Sequence, residues 1–118
     1  MSYISGFVVA VPTANKEAYR KLAASMAPIF KEYGAVEMME AWGEDIRDGK
    51  VTDFKRAVQA KPDETVVFSW IVWPDKAAAD VFEHKMMDDA RLQPTADMPF
   101  DGKRMIFGGF TPIFETGR

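Results

Sequence analysis

The chain has 118 residues, 47% apolar and 28% charged, the balance of one globular domain over 1–118 and not of a disordered segment. Its net charge is −3, with 15 basic side chains scattered among 18 acids, so it offers no basic stripe to a nucleic-acid backbone. It has no cysteine, which excludes disulfides, thiolate-held zinc, iron–sulfur clusters and a thiol nucleophile.

The N-terminal residues carry no basic segment of the secretory kind, and the longest apolar runs, 7–11 and 66–73, are too short to span a bilayer. A cytoplasmic location is expected. Residues 3–11 read as a strand, bounded by Pro12. Thr13 or Asn15 is then placed to cap a helix with a side-chain oxygen. That helix is expected over 16–33, where Tyr19, Leu22, Ala23, Met26, Ile29, Phe30 and Tyr33 form one apolar stripe. Pro28 should kink or divide its last turns, and Gly34 should stop it.

A second strand is expected over 36–43. Val36, Met38, Glu40 and Trp42 share one face; Glu37, Met39, Ala41 and Gly43 share the other. The connection over 44–63 is charged and too long for a plain hairpin. It holds an expected helical turn near 53–58, with Asp53 as cap and Phe54 and Val58 as anchors. Residues 64–73, rich in β-branched and aromatic side chains, give the strongest strand signal. Pro74 and Asp75 end it and open a second helix over 76–89, with Ala78, Phe82, Met86 and Asp89 along one side. A loop containing Pro94, Pro99 and the turn dipeptide Asp101-Gly102 leads to a last strand over 103–113.

The order strand, helix, strand, strand, helix, strand is that of an α+β, ferredoxin-like βαββαβ fold with a four-stranded antiparallel sheet. In that fold the first and third strands are central and should be the most apolar, as they are. Phe7, Val9 and Val11 lie on one face of the first strand; Ile4, Val8 and Ala10 lie on the other. Two helices cover only one face of such a sheet, so the other would expose a large apolar patch. Pairing two sheets face to face removes it, and the expected assembly is a homodimer. The competing arrangement folds the long loops over that face within one chain.

The run Met98-Pro99-Phe100-Asp101-Gly102-Lys103-Arg104-Met105-Ile106-Phe107-Gly108-Gly109-Phe110 resembles a bacterial YbaA-like family, domain of unknown function 1428. The segments Asp63-Glu64-Thr65, Val66-Val67-Phe68-Ser69-Trp70-Ile71-Val72, Lys85-Met86-Met87-Asp88-Asp89 and Gly49-Lys50-Val51-Thr52-Asp53-Phe54 carry the same likeness. The resemblance covers nearly the whole chain and implies the dimeric α+β barrel superfamily. It implies no settled activity. Related dimeric barrels include cofactor-free monooxygenases and haem-degrading enzymes that use a helix histidine and a strand tryptophan, to which His84, Trp70 and Trp73 would correspond.

Each candidate residue has a chemical and a structural reading. His84 is the sole histidine, and it points about 200° around its helix from Phe82, toward solvent. Trp42, Trp70 and Trp73 either line an aromatic pocket or pack a core or interface. Glu40 is either a buried carboxylate with a raised pKa or a charge that blunts an edge strand. Arg104, beside Asp101, either clamps an anionic ligand or pairs with Glu37, Asp101 or the 44–53 loop. Glu44, Asp45, Asp48 and Asp53 lack calcium-loop spacing. A small-molecule binder or cofactor-free enzyme, with its pocket between sheet and helices roofed by the 44–63 connection, is the leading functional expectation. Its alternative is a non-catalytic dimeric module that binds another protein or a regulatory ligand. Neither cofactor nor metal is expected.

Overall fold

The computed structural model describes residues 2–95 and 97–117. Its elements are β1 (Tyr3–Pro12), α1 (Lys16–Glu32), β2 (Glu37–Trp42), α2 (Phe54–Ala57), β3 (Glu64–Trp73), α3 (Lys76–Met86) and β4 (Ile106–Phe110). The sheet order is β2-β3-β1-β4, antiparallel throughout, so the two most apolar strands are central as expected. β1 and β3 pair along ten residues, from Tyr3 opposite Trp73 to Pro12 opposite Glu64. That register sets Val9 beside Val67 on one face and Ala10 beside Val66 on the other.

α1 and α3 lie on the face that carries Val9, Val11, Ile71 and Trp73. Phe82 of α3 forms the wedge, its ring 5.3 Å from both Phe30 of α1 and Tyr33 just past that helix, and 5.1 Å from Trp73. Trp73 is wholly buried, and its indole N–H donates to Ser5 Oγ at 3.0 Å, so the ring's polar edge costs nothing. In α3 the buried positions are Ala79 and Phe82; Met86 is exposed.

Several boundaries differ from the sequence expectation, each for a local reason. Thr13–Asn15 form a 3₁₀ turn and neither side chain caps α1. Asn15 Nδ2 donates instead to the Pro99 carbonyl at 2.9 Å, and Thr13 Oγ1 to the Asp63 carbonyl at 3.2 Å. α1 runs on through Pro28 without dividing, then stops at Gly34, whose φ of 103° suits glycine. α3 ends at Met86 because Gln93 Nε2 takes up the Met86, Met87 and Asp89 carbonyls. β4 is confined to Ile106–Phe110. Gly102–Arg104 coils into a 3₁₀ turn, capped by Asp101, instead of extending.

The larger correction concerns the 44–63 connection. Asp53 does cap α2, accepting from Arg56 N at 2.8 Å, but the segment does not roof the helices. It folds over the opposite face, where Val58, Ile46 and Ala60 pack on Ala10 and Val66 and Phe54 meets Phe68. The segment therefore covers one end of the face that the helices leave bare. Beyond it, Phe68 is 46% exposed, Ile106 45% and Phe110 59%.

One ion pair locks the connection to the end of the sheet. Arg104 donates from both terminal nitrogens to Glu64, each at 2.8 Å, and also to Asp101 and to the Gln59 carbonyl. The Arg104 hydrogen bonds hold the Glu64 carboxyl far below its ordinary 4.5, at about 2. Because the folded value is the lower, this contribution is whole above pH 4.5 and is lost as pH falls through about 2. Glu64→Gln should flatten the pH dependence of stability between those values and lower stability at neutral pH, as read from urea midpoints measured across the range. Phe82→Ala should cost about 3–5 kcal/mol in the same assay, the usual loss for emptying a large aromatic site.

Candidate functional site

The even residues of β2 face α1, which brings a carboxylate under the first turns of the helix. Glu40 lies opposite Ser69 of β3, and Trp42 opposite Val67. Tyr19, three residues into α1, reaches down so that its hydroxyl donates to Glu40 Oε1 at 2.7 Å. Its ring packs edge-on against Phe100 at 5.6 Å. The Asn15 bond to Pro99 holds that loop over the start of α1. Trp42 rests on the Val9, Val11 and Val67 cluster with Phe100 and Met105, and the Lys16 ammonium lies 5.6 Å from its ring centroid.

The electrostatics follow from this packing. Burial pushes the Glu40 carboxyl above its usual 4.5, while hydrogen bonds from Tyr19 and Ser69 pull the other way. Burial, then the Glu40 charge, then the bond to Glu40 drive the Tyr19 hydroxyl well above the ordinary tyrosine range. Glu40 is nonetheless open to solvent on one side. A carboxylate whose ionisation burial opposes, a phenol whose ionisation burial and the Glu40 charge oppose, and a buried serine hydroxyl make a cluster of perturbed groups of a kind found at functional sites.

The other sequence candidates lie elsewhere. Trp70 projects from the opposite sheet face, where its indole N–H donates to Glu37 Oε2 at 3.0 Å and its ring meets Phe68. His84 is exposed on the outer side of α3, in an open cleft of about 310 Å³ lined with Asp80 and Glu83. Arg104 and Asp101 belong to the Glu64 ion-pair cluster, and the Arg104 donors are taken up within it. Of the expected Arg104 partners, Asp101 is one; Glu64, the principal partner, was not foreseen. Of the six candidates only Glu40 and Trp42 share the helix-side site. Tyr19 and Ser69, which complete it, read in the sequence as a stripe residue and a strand residue. The hydroxyl at the tip of Tyr19, alone in the first turns of the stripe, was the available signal.

A shallow apolar trough of about 200 Å³ crosses the bare sheet face between Gly6, Val8, Phe68, Ile106 and Phe110. Among the described residues no group of three or more histidines and carboxylates is arranged to hold a metal ion, and no helix is long and apolar enough to cross a membrane.

This chain folds as an α+β, ferredoxin-like unit with its helices on one face of an antiparallel sheet. It superposes on a putative antibiotic biosynthesis monooxygenase from Nitrosomonas europaea with a TM-score of 0.57, over 98% of this chain and 94% of that one. At 15% identity that likeness establishes the fold alone. The chain belongs to the DUF1428 family, described as a protein of unknown function, which it matches over residues 2–102. It is 54% identical over 116 residues to the uncharacterized protein YbaA of Escherichia coli K12, covering 98% of this chain and 99% of the relative. The YbaA protein of Shigella flexneri is equally similar.

In a carboxyl NMR titration, Glu40 should show a midpoint above 4.5. Tyr19→Phe should raise it further, because the phenolic hydrogen bond stabilises the ionised carboxylate.

Proposed function

We propose that this protein is a bacterial cytosolic homodimer that binds a small molecule, or converts one without a cofactor, at the Tyr19–Glu40–Ser69 cluster. The observation that carries the reading is the Tyr19 hydroxyl bonded at 2.7 Å to a carboxylate that burial destabilises and solvent still reaches. Such a carboxylate is suited to accept a proton from a bound ligand, with the Tyr19 hydroxyl holding it in place by a hydrogen bond. The competing reading is a non-catalytic regulatory dimer. It draws support from the two open clefts, which lie away from Glu40.

The dimer reading rests on the bare sheet face. Phe68, Ile106 and Phe110 stand exposed around the trough, with Met39 beyond them at 45% exposure. Each such side chain gains about 1.5–3 kcal/mol when fully buried. The net charge of −3, with basic side chains scattered among more numerous acids, favours a second copy over a nucleic acid.

Phe68→Glu should convert a sedimenting dimer to a monomer at micromolar concentration; an unchanged mass would remove the face-to-face assembly. A thermal-shift screen against small carboxylates, phenols and carbonyl compounds should give hits on the wild type that Glu40→Gln weakens. Hits indifferent to both Glu40→Gln and Tyr19→Phe would move the site elsewhere.

A further inference from the structure

Three and four residues beyond β4, Ile113 and Phe114 stand 100% and 82% exposed. Single exposed apolar residues are ordinary, but these two follow directly on an apolar opening. That opening is the trough on the bare sheet face. Its floor is backbone, because Gly6 stands opposite Gly108 in the β1–β4 register. Phe110 forms one wall, its ring 3.2 Å from where a Cβ on Gly6 would lie. The next register pair, Val8 and Ile106, forms the rest with Phe68. At about 200 Å³ the trough has room for one phenyl ring, since a cavity of ~150 Å³ accepts benzene.

Phe110 is both a wall of the trough and the last residue of β4, so the C-terminal segment starts at the trough's own rim. Pro112 fixes its own φ and holds Thr111 extended, which carries the chain away from the strand. An extended chain spans roughly 14 Å from the first to the fifth of five residues, and two sheets packed face to face lie about 10 Å apart. The stretch from Phe110 to Phe114 is therefore long enough to cross to a facing sheet. Because segment and trough share a rim, a single two-fold axis sends each segment to the other copy's trough. The contact then closes at two chains instead of growing into a fibre.

We propose that residues 111–115 are an arm that crosses to a second copy of this chain and seats Phe114 in that copy's trough. The inference rests on the homodimer reading and adds the segment that ties the two chains together. The arm fills a hollow that one flat sheet laid on another leaves open, and it takes Phe114 out of water.

The chain has no cysteine, so placed thiols report on single positions. Ile106→Cys chains labelled with 15N, mixed with unlabelled Phe114→Cys chains and treated with a short bis-maleimide, should yield a covalent dimer. Its peptides should join position 106 of the heavy chain to position 114 of the light one. Both positions are exposed, so both variants should fold, and circular dichroism checks this. The double variant Ile113→Ser/Phe114→Ser, tested without any crosslinker, should raise the dimer Kd at least about tenfold in sedimentation. A dimer that keeps its Kd in that variant would overturn the arm and leave the homodimer reading intact. So would a 106–114 link formed only inside one chain when Ile106→Cys and Phe114→Cys are combined, since the segment would then fold back on its own sheet. A wild-type chain that sediments as a monomer at micromolar concentration would remove the homodimer reading and the arm together.

Discussion

The ten-residue pairing of β1 with β3 is the constraint from which the rest follows. Both strands are apolar on both sides, and the two-residue period of a strand sends half of those side chains each way. Neither side can be left to water. The molecule answers differently on each. On one side two helices close around Phe82 and Trp73. On the other, a single loop segment anchored by Val58 covers one end and leaves the remainder open. The Arg104–Glu64 pair makes this second arrangement possible, since it ties the loop's last residues to the turn before β4.

Much of this was legible from residue order. β3 could be delimited to the residue because β-branched and aromatic side chains run unbroken up to Pro74, which cannot continue a ladder. Asp53 announced its cap because its side chain bonds locally, three residues on. Alternation also assigned the two faces of β2 correctly, so Glu40 and Trp42 could be placed together. The side on which the 44–63 segment lies was not legible. Its anchors, Ile46 and Val58, suit either face, and the choice is made by Ala10 and Val66 once β1 and β3 have paired.

The candidate site was half legible for the same reason. Glu40 stood out as the one charge among Val36, Met38 and Trp42 on its face of the strand. Its partner Tyr19 did not, because helical periodicity treats a tyrosine as one more apolar residue and says nothing about where its hydroxyl ends. For Arg104 the ion-pair reading holds, with Asp101 as one foreseen partner, but the partner that takes its two terminal nitrogens is Glu64, distant in sequence. Local spacing finds caps and stripes; bonds across |i−j| of 21 or 40 depend on the assembled sheet.

The three tryptophans have one further consequence. Trp73 is sealed in the helix-side core, Trp42 sits half-buried beneath Lys16, and Trp70 looks out from the bare sheet face bonded to Glu37. Their indoles therefore occupy a dry, a charge-bordered and a partly wet setting, and their emission should differ in colour and in access to quenchers. With two of the three replaced by phenylalanine at a time, the molecule becomes its own set of optical probes: one for melting of the core, one for events beneath α1, and one for whatever settles on the open side of the sheet.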